Sequence, residues 1–433
     1  MSRRFANLLL SLLFLTFSAC AGGPDPSQPR APESQASGRG SGGINAPVHR
    51  NKPYVVLISF DGFRPDYLDK FDLPNLRRMV QSGVRARALL PVFPSLTFPN
   101  HYSLVTGLYP DRHGIVANSF YDPARKQTYS LSDRKAVTDG TWYGGEPIWV
   151  TAEQQGMVAA MFFWPGSEAA IKGIRPTYWK DFDATIPNAE RVTGVLEWLQ
   201  LPEERRPHML ALYFNELDST SHRVPMNAPE IERAAQSLDA SLGLLVDGIA
   251  KLPIANRVYL VLTSDHGMVE TGTDQTVRLD AVLDTGLIQV GFGGPVSTLH
   301  VNGNLTVAQQ VRDRLNQRLV HGKAYLRSEL PKHYRYNNPR AGDVVVVMNE
   351  SWTLATSPPS PRLTKRWGMH GWDPSIPSMH ALFTVSGPSV RAGTTVSDLR
   401  NVDVYHFITE RLGLAPAPQL DGEPRRISRI VMK

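Results

Sequence analysis

Four short polar clusters interrupt an otherwise apolar sequence. "ISFDGFRPD" sets Asp61 directly after a hydrophobic run, "YFNELDSTSH" sets Asp218 and His222 after another, and "TSDHGM" sets Asp265 and His266 after a third. "WGMHGWD" sets His370 shortly before a fourth. Carboxylates mixed with imidazoles suit zinc or manganese, whereas magnesium relies on oxygen ligands and water. Asp218 and His222 are four residues apart, so one helical turn carries both on the same face. Six such groups exceed the three or four protein ligands of one zinc, which implies two ions. Two metals about 4 Å apart can clamp the attacking and leaving oxygens of a phosphoryl group.

Each group taken singly has a plainer explanation. An aspartate after a strand often caps the next helix, and a histidine in a glycine-rich loop often serves a turn. Their joint occurrence at the ends of apolar runs speaks against coincidence. A fifth stretch, "FPSLTFPNHYS", encloses Thr97 between Pro94 and Pro99. Prolines fix the local backbone shape, and alone the stretch is a proline-punctuated loop. Beside a pair of metals it becomes a candidate nucleophile, because a threonine hydroxyl attacks only once its proton has been removed. Phe98 would then lie at the mouth of the site.

The elements that must position these groups are short apolar runs without alternation: 54–60, 158–163, 209–214, 258–264 and 381–386. Continuous apolar runs are expected of parallel strands covered on both faces. Helical patterns intervene, at "LPNLRRMVQSG" and at "PEIERAAQSLDASLGLLVDGIAKL", which opens on proline and glutamate. The alternation predicts an α/β fold, with a mostly parallel central sheet flanked by helices. Ligands of such sheets collect beyond the carboxyl ends of the strands, where three of the four clusters lie. Residues of about 295–350 ("STLHVNG", "VAQQVRDRLNQRL", "GDVVVVMN") predict a small inserted α+β lobe.

Composition narrows the classes further. The 433 residues are 42% hydrophobic with a net charge of +6, and the basic residues are scattered rather than gathered into a stripe. No specific nucleic-acid partner is required, while anionic small molecules are favoured. Residues 1–20 carry two arginines, an apolar run from Phe5 to Ala19 and the only cysteine, Cys20. That run is shorter than the roughly 20 residues of a spanning helix and suits a secretory signal. "FSAC" resembles a bacterial lipobox, although Phe17 is bulkier than usual there. The expectation is export to the periplasm or cell envelope and a membrane tether through lipidated Cys20, as an outer-membrane lipoprotein. Residues 21–51, rich in Gly, Pro, Ser and Ala, are expected to be a flexible linker, and 52–433 the catalytic domain.

From Tyr54 to Pro418 the sequence resembles the nucleotide pyrophosphatase/phosphodiesterase family of the alkaline phosphatase superfamily. The landmarks are "ISFDGFRPDYL", "FPSLTFPNHYSLVTGLYPDRHGIVANSFYDP", "TSDHGM", "HGWD" with "SMHALFTVSGP", and "LGLAPAP". The resemblance implies an alkaline-phosphatase-like fold and two zinc ions, one held by Asp61, Thr97, Asp265 and His266, the other by Asp218, His222 and His370. It implies Thr97 as nucleophile and Asn118 as donor to a phosphate oxygen. It also implies Phe98, Phe182 and Tyr213 beside the base of a nucleotide substrate. The implied reaction is hydrolysis of phosphodiester and pyrophosphate bonds in nucleotides, releasing nucleoside 5'-monophosphates through a covalent threonine intermediate. The sequence departs from the family at Leu217 and Ser221, where Pro and Gly are usual, at Pro374, where Asn is usual, and at Phe182, often Tyr. Choline- or lipid-type phosphate esters remain an alternative substrate class. A catalytically inactive, surface-anchored binding protein is the alternative from another class.

Overall fold

The computed structural model describes residues 43–286, 288–356 and 365–430. The expected leader, Cys20 and the linker as far as residue 42 lie outside these residues. Eight strands form the central sheet: β1 (Tyr54–Phe60), β2 (Val84–Ala86), β3 (Ala159–Phe162), β4 (Tyr178–Lys180), β5 (Met209–Phe214), β6 (Val258–Thr263), β7 (Phe383–Ser386) and β8 (Thr394–Val396). Their spatial order is β8-β2-β7-β6-β1-β5-β3-β4. Every residue of β1, β5 and β6 is buried, as their unbroken apolar sequence requires. Covering helices include α1 (Pro74–Ser82), α2 (Thr97–Thr106), α3 (Asn188–Gln200), α4 (Glu216–Ser221), α5 (Pro229–Ala250) and α6 (Val404–Leu412).

The sheet is mostly parallel and alkaline-phosphatase-like, with one correction to the expected strand directions. The run at 381–386 becomes β7, which pairs antiparallel with both β6 and β2. The reason lies in the chain just before it. Arg366–Met369 pairs antiparallel with Val269–Gly272, immediately beyond β6, so the chain stays at the carboxyl end of the sheet. Re-entering from that end without a crossover helix obliges β7 to run against its neighbours.

A second apolar cluster runs from Leu279 to Leu354, separate from the main core. It lies under a four-stranded antiparallel sheet ordered Gln289–Phe292, Val296–His300, Val344–Met348 and Gly322–Leu326, packed by the helix Leu305–Arg318. This lobe is wider than the expected 295–350. Its edge strand, "QVGF", contains a glycine and carries little apolar signal.

The end of the stretch expected as a linker is packed rather than free. Asn45 is 1% exposed. Its amide donates to the Arg206 and Glu203 carbonyls at 2.8 and 3.2 Å, and its Oδ1 accepts the Val158 N–H at 2.8 Å. Composition could not disclose this, because the groups that satisfy Asn45 lie more than a hundred residues away. Removing the side chain strands a buried N–H and two carbonyls, at about 1–3 kcal/mol each before relaxation. Asn45→Ala is therefore expected to lower stability by about 2–3 kcal/mol, read from the urea midpoint at unchanged slope.

Candidate active site

The register of three adjacent strands brings the polar clusters together. Phe60 of β1 lies opposite Phe214 of β5, and Ser59 opposite Thr263 of β6, so the three strands end at one level. Asp61 follows β1 directly, Asp265 and His266 follow β6, and α4 after β5 carries Asp218 with His222 at its end. Leu217 and Ser221 are fully buried beneath α4, and the Ser221 hydroxyl donates to the Leu217 carbonyl at 2.8 Å. These two departures from the family pattern thus form the inner face of the helix and leave its ligand face unaltered.

Thr97 opens α2 and is 9% exposed. Pro99 is the third helical residue, where the missing N–H would have no intrahelical partner, so the stretch is a helix start rather than a loop. Thr97 Oγ1 lies 3.4 Å from His266 Nε2. The Phe98 N–H, also free of the helix, donates to Asn118 Oδ1 at 2.8 Å. This bond orients the Asn118 amide and ties it to the start of α2.

The three imidazoles have a common arrangement. Nδ1 of His222, His266 and His370 lies 2.9, 2.9 and 2.8 Å from the carbonyls of Gly368, Gly267 and Ser95. Carbonyl oxygens only accept, so each Nδ1 carries a proton, and loss of the other ring proton would leave each Nε2 with the lone pair of a metal ligand. His370 Nε2 is 3.2 Å from His222 Nε2 and 3.4 Å from Asp218 Oδ1. His266 Nε2 is 3.0 Å from Asp265 Oδ2 and 3.5 Å from Asp61 Oδ1. Asp61 Oδ1, Asp218 Oδ1 and Asp265 Oδ2 are buried without a hydrogen-bond partner. Imidazole nitrogens and carboxylate oxygens gathered this closely could hold divalent cations.

With protein charges alone, burial lowers His222 and His266, but Asp218 and Asp265 raise them above the ordinary imidazole range. Burial, then the Asp265 and Asp218 charges, push the Asp61 carboxyl well above its ordinary range. Burial also acts upward on Asp218, but His222, His370 and His266 outweigh it and hold Asp218 at about 2. Asp265 is held well below its usual range by His266 and His101 against the cost of burial. Burial and the neighbouring His266 charge drive His370 down to about 3. One carboxyl of the three is forced towards its neutral form when protein charges alone must balance the site.

Among the described residues two compact ligand groups emerge: Asp218, His266 and His370, and Asp61, His101 and Asp265. This grouping sets His266 with Asp218 and His370, adds His101 to Asp61 and Asp265, and leaves out His222, whose Nε2 lies 3.3 Å from Asp218 Oδ1. His101 was missed in the sequence, though it lies one turn after Thr97 on α2. Its Nδ1 donates to the Thr97 carbonyl at 2.9 Å, and its Nε2 is 2.8 Å from Ser59 Oγ. Both ring nitrogens are occupied, so His101 offers no lone pair and serves to fix Thr97 beside Asp265. His380, the other histidine of this region, belongs to neither group.

The centre forms the floor of a cleft of about 590 Å³. Phe98, Phe163, Phe182 and Tyr213 contribute its aromatic wall, and Phe182 is 43% exposed. Phe182 lies 5.5 Å from Phe163 and 6.0 Å from Tyr213 between ring centroids. The Tyr213 hydroxyl is committed to Asp61 Oδ2 at 2.5 Å, so only its ring faces a ligand. Glu168 was also missed: its Oε1 accepts the Phe182 N–H at 2.7 Å and its other oxygen pairs with Arg134. The cleft therefore joins a flat apolar slot to a charged floor, a shape suited to a molecule with an aromatic part and an anionic part.

Comparison with known proteins agrees with this shape. The profile of the type I phosphodiesterase / nucleotide pyrophosphatase family matches residues 55–373. Human ectonucleotide pyrophosphatase/phosphodiesterase family member 1 is 36% identical over 384 residues, covering 86% of this chain and 41% of that protein. A venom phosphodiesterase of Crotalus durissus collilineatus is 35% identical over 394 residues, covering 88% of this chain and 47% of that protein. The chain thus spans less than half the length of these curated relatives. The solved structure of murine ectonucleotide pyrophosphatase/phosphodiesterase 5 superposes with a TM-score of 0.82 at 29% identity, covering 88% of this chain and all of that one. Its inactive threonine-to-alanine variant, solved in complex with AMP, superposes equally well. By sequence and by fold, this chain belongs to the type I phosphodiesterase / nucleotide pyrophosphatase family.

Proposed function

We propose that the chain is a zinc-dependent nucleotide pyrophosphatase/phosphodiesterase that cleaves phosphodiester and pyrophosphate bonds in nucleotides and releases nucleoside 5'-monophosphates. The observation that carries the proposal is a threonine hydroxyl beside His266, among three carboxylates that each leave one oxygen buried and unpartnered and three imidazoles, at the base of an aromatic slot. Asp61, Thr97, Asp265 and His266 would hold one ion, and Asp218, His222 and His370 the other. Two bound zinc ions would supply the positive charge that eases loss of the Thr97 proton and offsets charge on the phosphate and leaving oxygens.

The protein's own groups do the rest. Phe98, Phe182 and the Tyr213 ring hold the base, which places the phosphate over Thr97. Asn118 Nδ2 and the first-turn N–H of Thr97 donate to a non-bridging oxygen, whose charge rises as the bond order to phosphorus changes. Thr97 Oγ1 forms the bond to phosphorus as the bond to the leaving oxygen breaks on the opposite face. A nucleotidyl-threonine ester results. Water then attacks that phosphorus in line, the Thr97 oxygen leaves, and the 5'-monophosphate departs. His101 keeps the Thr97 backbone in place throughout. Membrane tethering through Cys20 and residence in the cell envelope are part of the proposal, supported by the apolar run Phe5–Ala19 before a lipobox-like "FSAC".

Thr97→Ala is expected to lower turnover of a nucleotide p-nitrophenyl ester by at least about 10³-fold while zinc analysis still finds close to two ions per chain. Wild-type-like turnover in this variant would remove Thr97 from the mechanism. Chelation should abolish turnover and lower the melting temperature, with zinc restoring both, because an ion bound only by the folded state adds stability by mass action. Wild-type kcat/KM on bis-(p-nitrophenyl) phosphate should exceed that on p-nitrophenyl phosphate. Nucleotide esters should also outpace choline esters; the reverse order would favour the choline-type alternative.

A further inference from the structure

One stretch between two strands of the lobe, Tyr334–Ala341, touches three of the loops that lead into the site. Tyr334 stacks on Phe93 at 4.0 Å between centroids, and its hydroxyl donates to Asp373 Oδ2 at 2.7 Å. Phe93 precedes Thr97, and Asp373 follows His370, by only a few residues. The Tyr336 hydroxyl donates to the Val116 carbonyl at 2.8 Å, just ahead of Asn118. Arg340 makes the densest set of contacts. Its Nε donates to Asp122 Oδ2 at 2.8 Å, and its Nη1 donates to the carbonyls of Gly114 and Trp142 at 2.9 and 2.7 Å. The guanidinium also lies 5.4 Å from the Phe120 ring and 5.3 Å from the Trp142 ring.

Gly114 and Asp122 stand equally far before and after Asn118. A single planar cation therefore pins both ends of the segment that presents this amide. The approach is close enough to exclude a side chain: a Cβ at Gly114, where φ is +77°, would come within 2.9 Å of Arg340 Nη1. Asp122 is itself fixed, because its Oδ1 accepts the Ala124 and Arg125 N–H groups at 2.9 and 3.1 Å. Its carboxyl lies below the ordinary range: burial raises it, and the Arg125 backbone bond and Arg340 more than compensate.

We propose that Arg340 is a positioning residue of the lobe that acts through Asn118, holding its amide at the height at which it meets the phosphate oxygen. This rests on the function proposed above and adds a role for the lobe in the reaction. A donor aimed at developing charge must be held to within a fraction of an ångström, and a misplacement of about 1 Å costs up to about 10²-fold in rate. Lysine cannot substitute, because one ammonium cannot span a carboxylate and two carbonyls in the plane that the guanidinium defines.

The test is a double-mutant cycle on a nucleotide p-nitrophenyl ester, with the zinc-loaded full chain. Arg340→Lys is expected to lower kcat about tenfold with KM changed less than about twofold. In an Asn118→Ala background the same substitution should cost less than about twofold, since the group it positions is gone. An equal loss in both backgrounds would show that Arg340 supports the fold generally, and no loss in the parent would show that Asn118 holds its place unaided; either overturns the inference. Tyr336→Phe removes one hydroxyl from the same segment and repeats the cycle if Arg340→Lys does not fold. A parent without turnover, or Asn118→Ala at the parent rate, would instead sink the proposed function.

Discussion

Buried carboxylates cannot share a small volume unless something positive lies between them. Two unit charges about 4 Å apart interact by roughly 4 kcal/mol at an effective dielectric of about 20, and desolvation adds to that. Asp61, Asp218 and Asp265 each leave an oxygen buried without a hydrogen-bond partner, and nitrogens of His101, His222, His266 and His370 lie 3.0–3.5 Å from those oxygens. A fold that tolerates such a cluster must be rigid enough to withstand its repulsion. It must also be organised so that the repulsion becomes affinity for cations. The pattern of His Nδ1 protons bound to backbone carbonyls shows the second condition met, because it fixes the direction of every Nε2 before any ion arrives.

Rigidity comes from the sheet. β6, β1 and β5 are neighbours with no solvent-facing residue, and their pairing sets the height at which each chain leaves the sheet. A slip of one residue in either pairing would invert the faces of a strand and displace its ligands, which so apolar a pair of interfaces does not permit. The loops beyond are short, and the site inherits its precision from the strands. The antiparallel entry of β7 belongs to the same design, because it keeps His370 at the carboxyl end, opposite Asp218.

Thr97 reaches the centre by another route. α2 brings it in from the side, and the first turn of the helix is secured from several directions: Asn118 on the Phe98 N–H, His101 on the Thr97 carbonyl, and Ser59 of β1 on His101. The lobe's Tyr334–Ala341 segment then ties the Phe93, Asn118 and His370 loops to one another. The central sheet, α2 and the lobe are thus connected through single hydrogen bonds at defined atoms rather than through broad apolar contact alone.

The sequence by itself determined the family and most of the framework. Asp61, Asp218, His222, Asp265, His266 and His370 could be picked out because ligand chemistry restricts residue types and because they follow unbroken apolar runs, a signal contained within a dozen residues. The long ordered run around Thr97 and Asn118 carried the family resemblance in the same local way. Tertiary structure alone decided how those groups gather, with His266 beside Asp218 and His370 and with His101 supporting Thr97. It also decided the direction of β7, the packing of Asn45, and the reach of Arg340 to Asp122 across more than two hundred residues. The division has a physical cause. Backbone propensity and ligand type are properties of a few adjacent residues, whereas tautomers, strand direction and buried hydrogen bonds are fixed only by partners that folding brings from elsewhere in the chain.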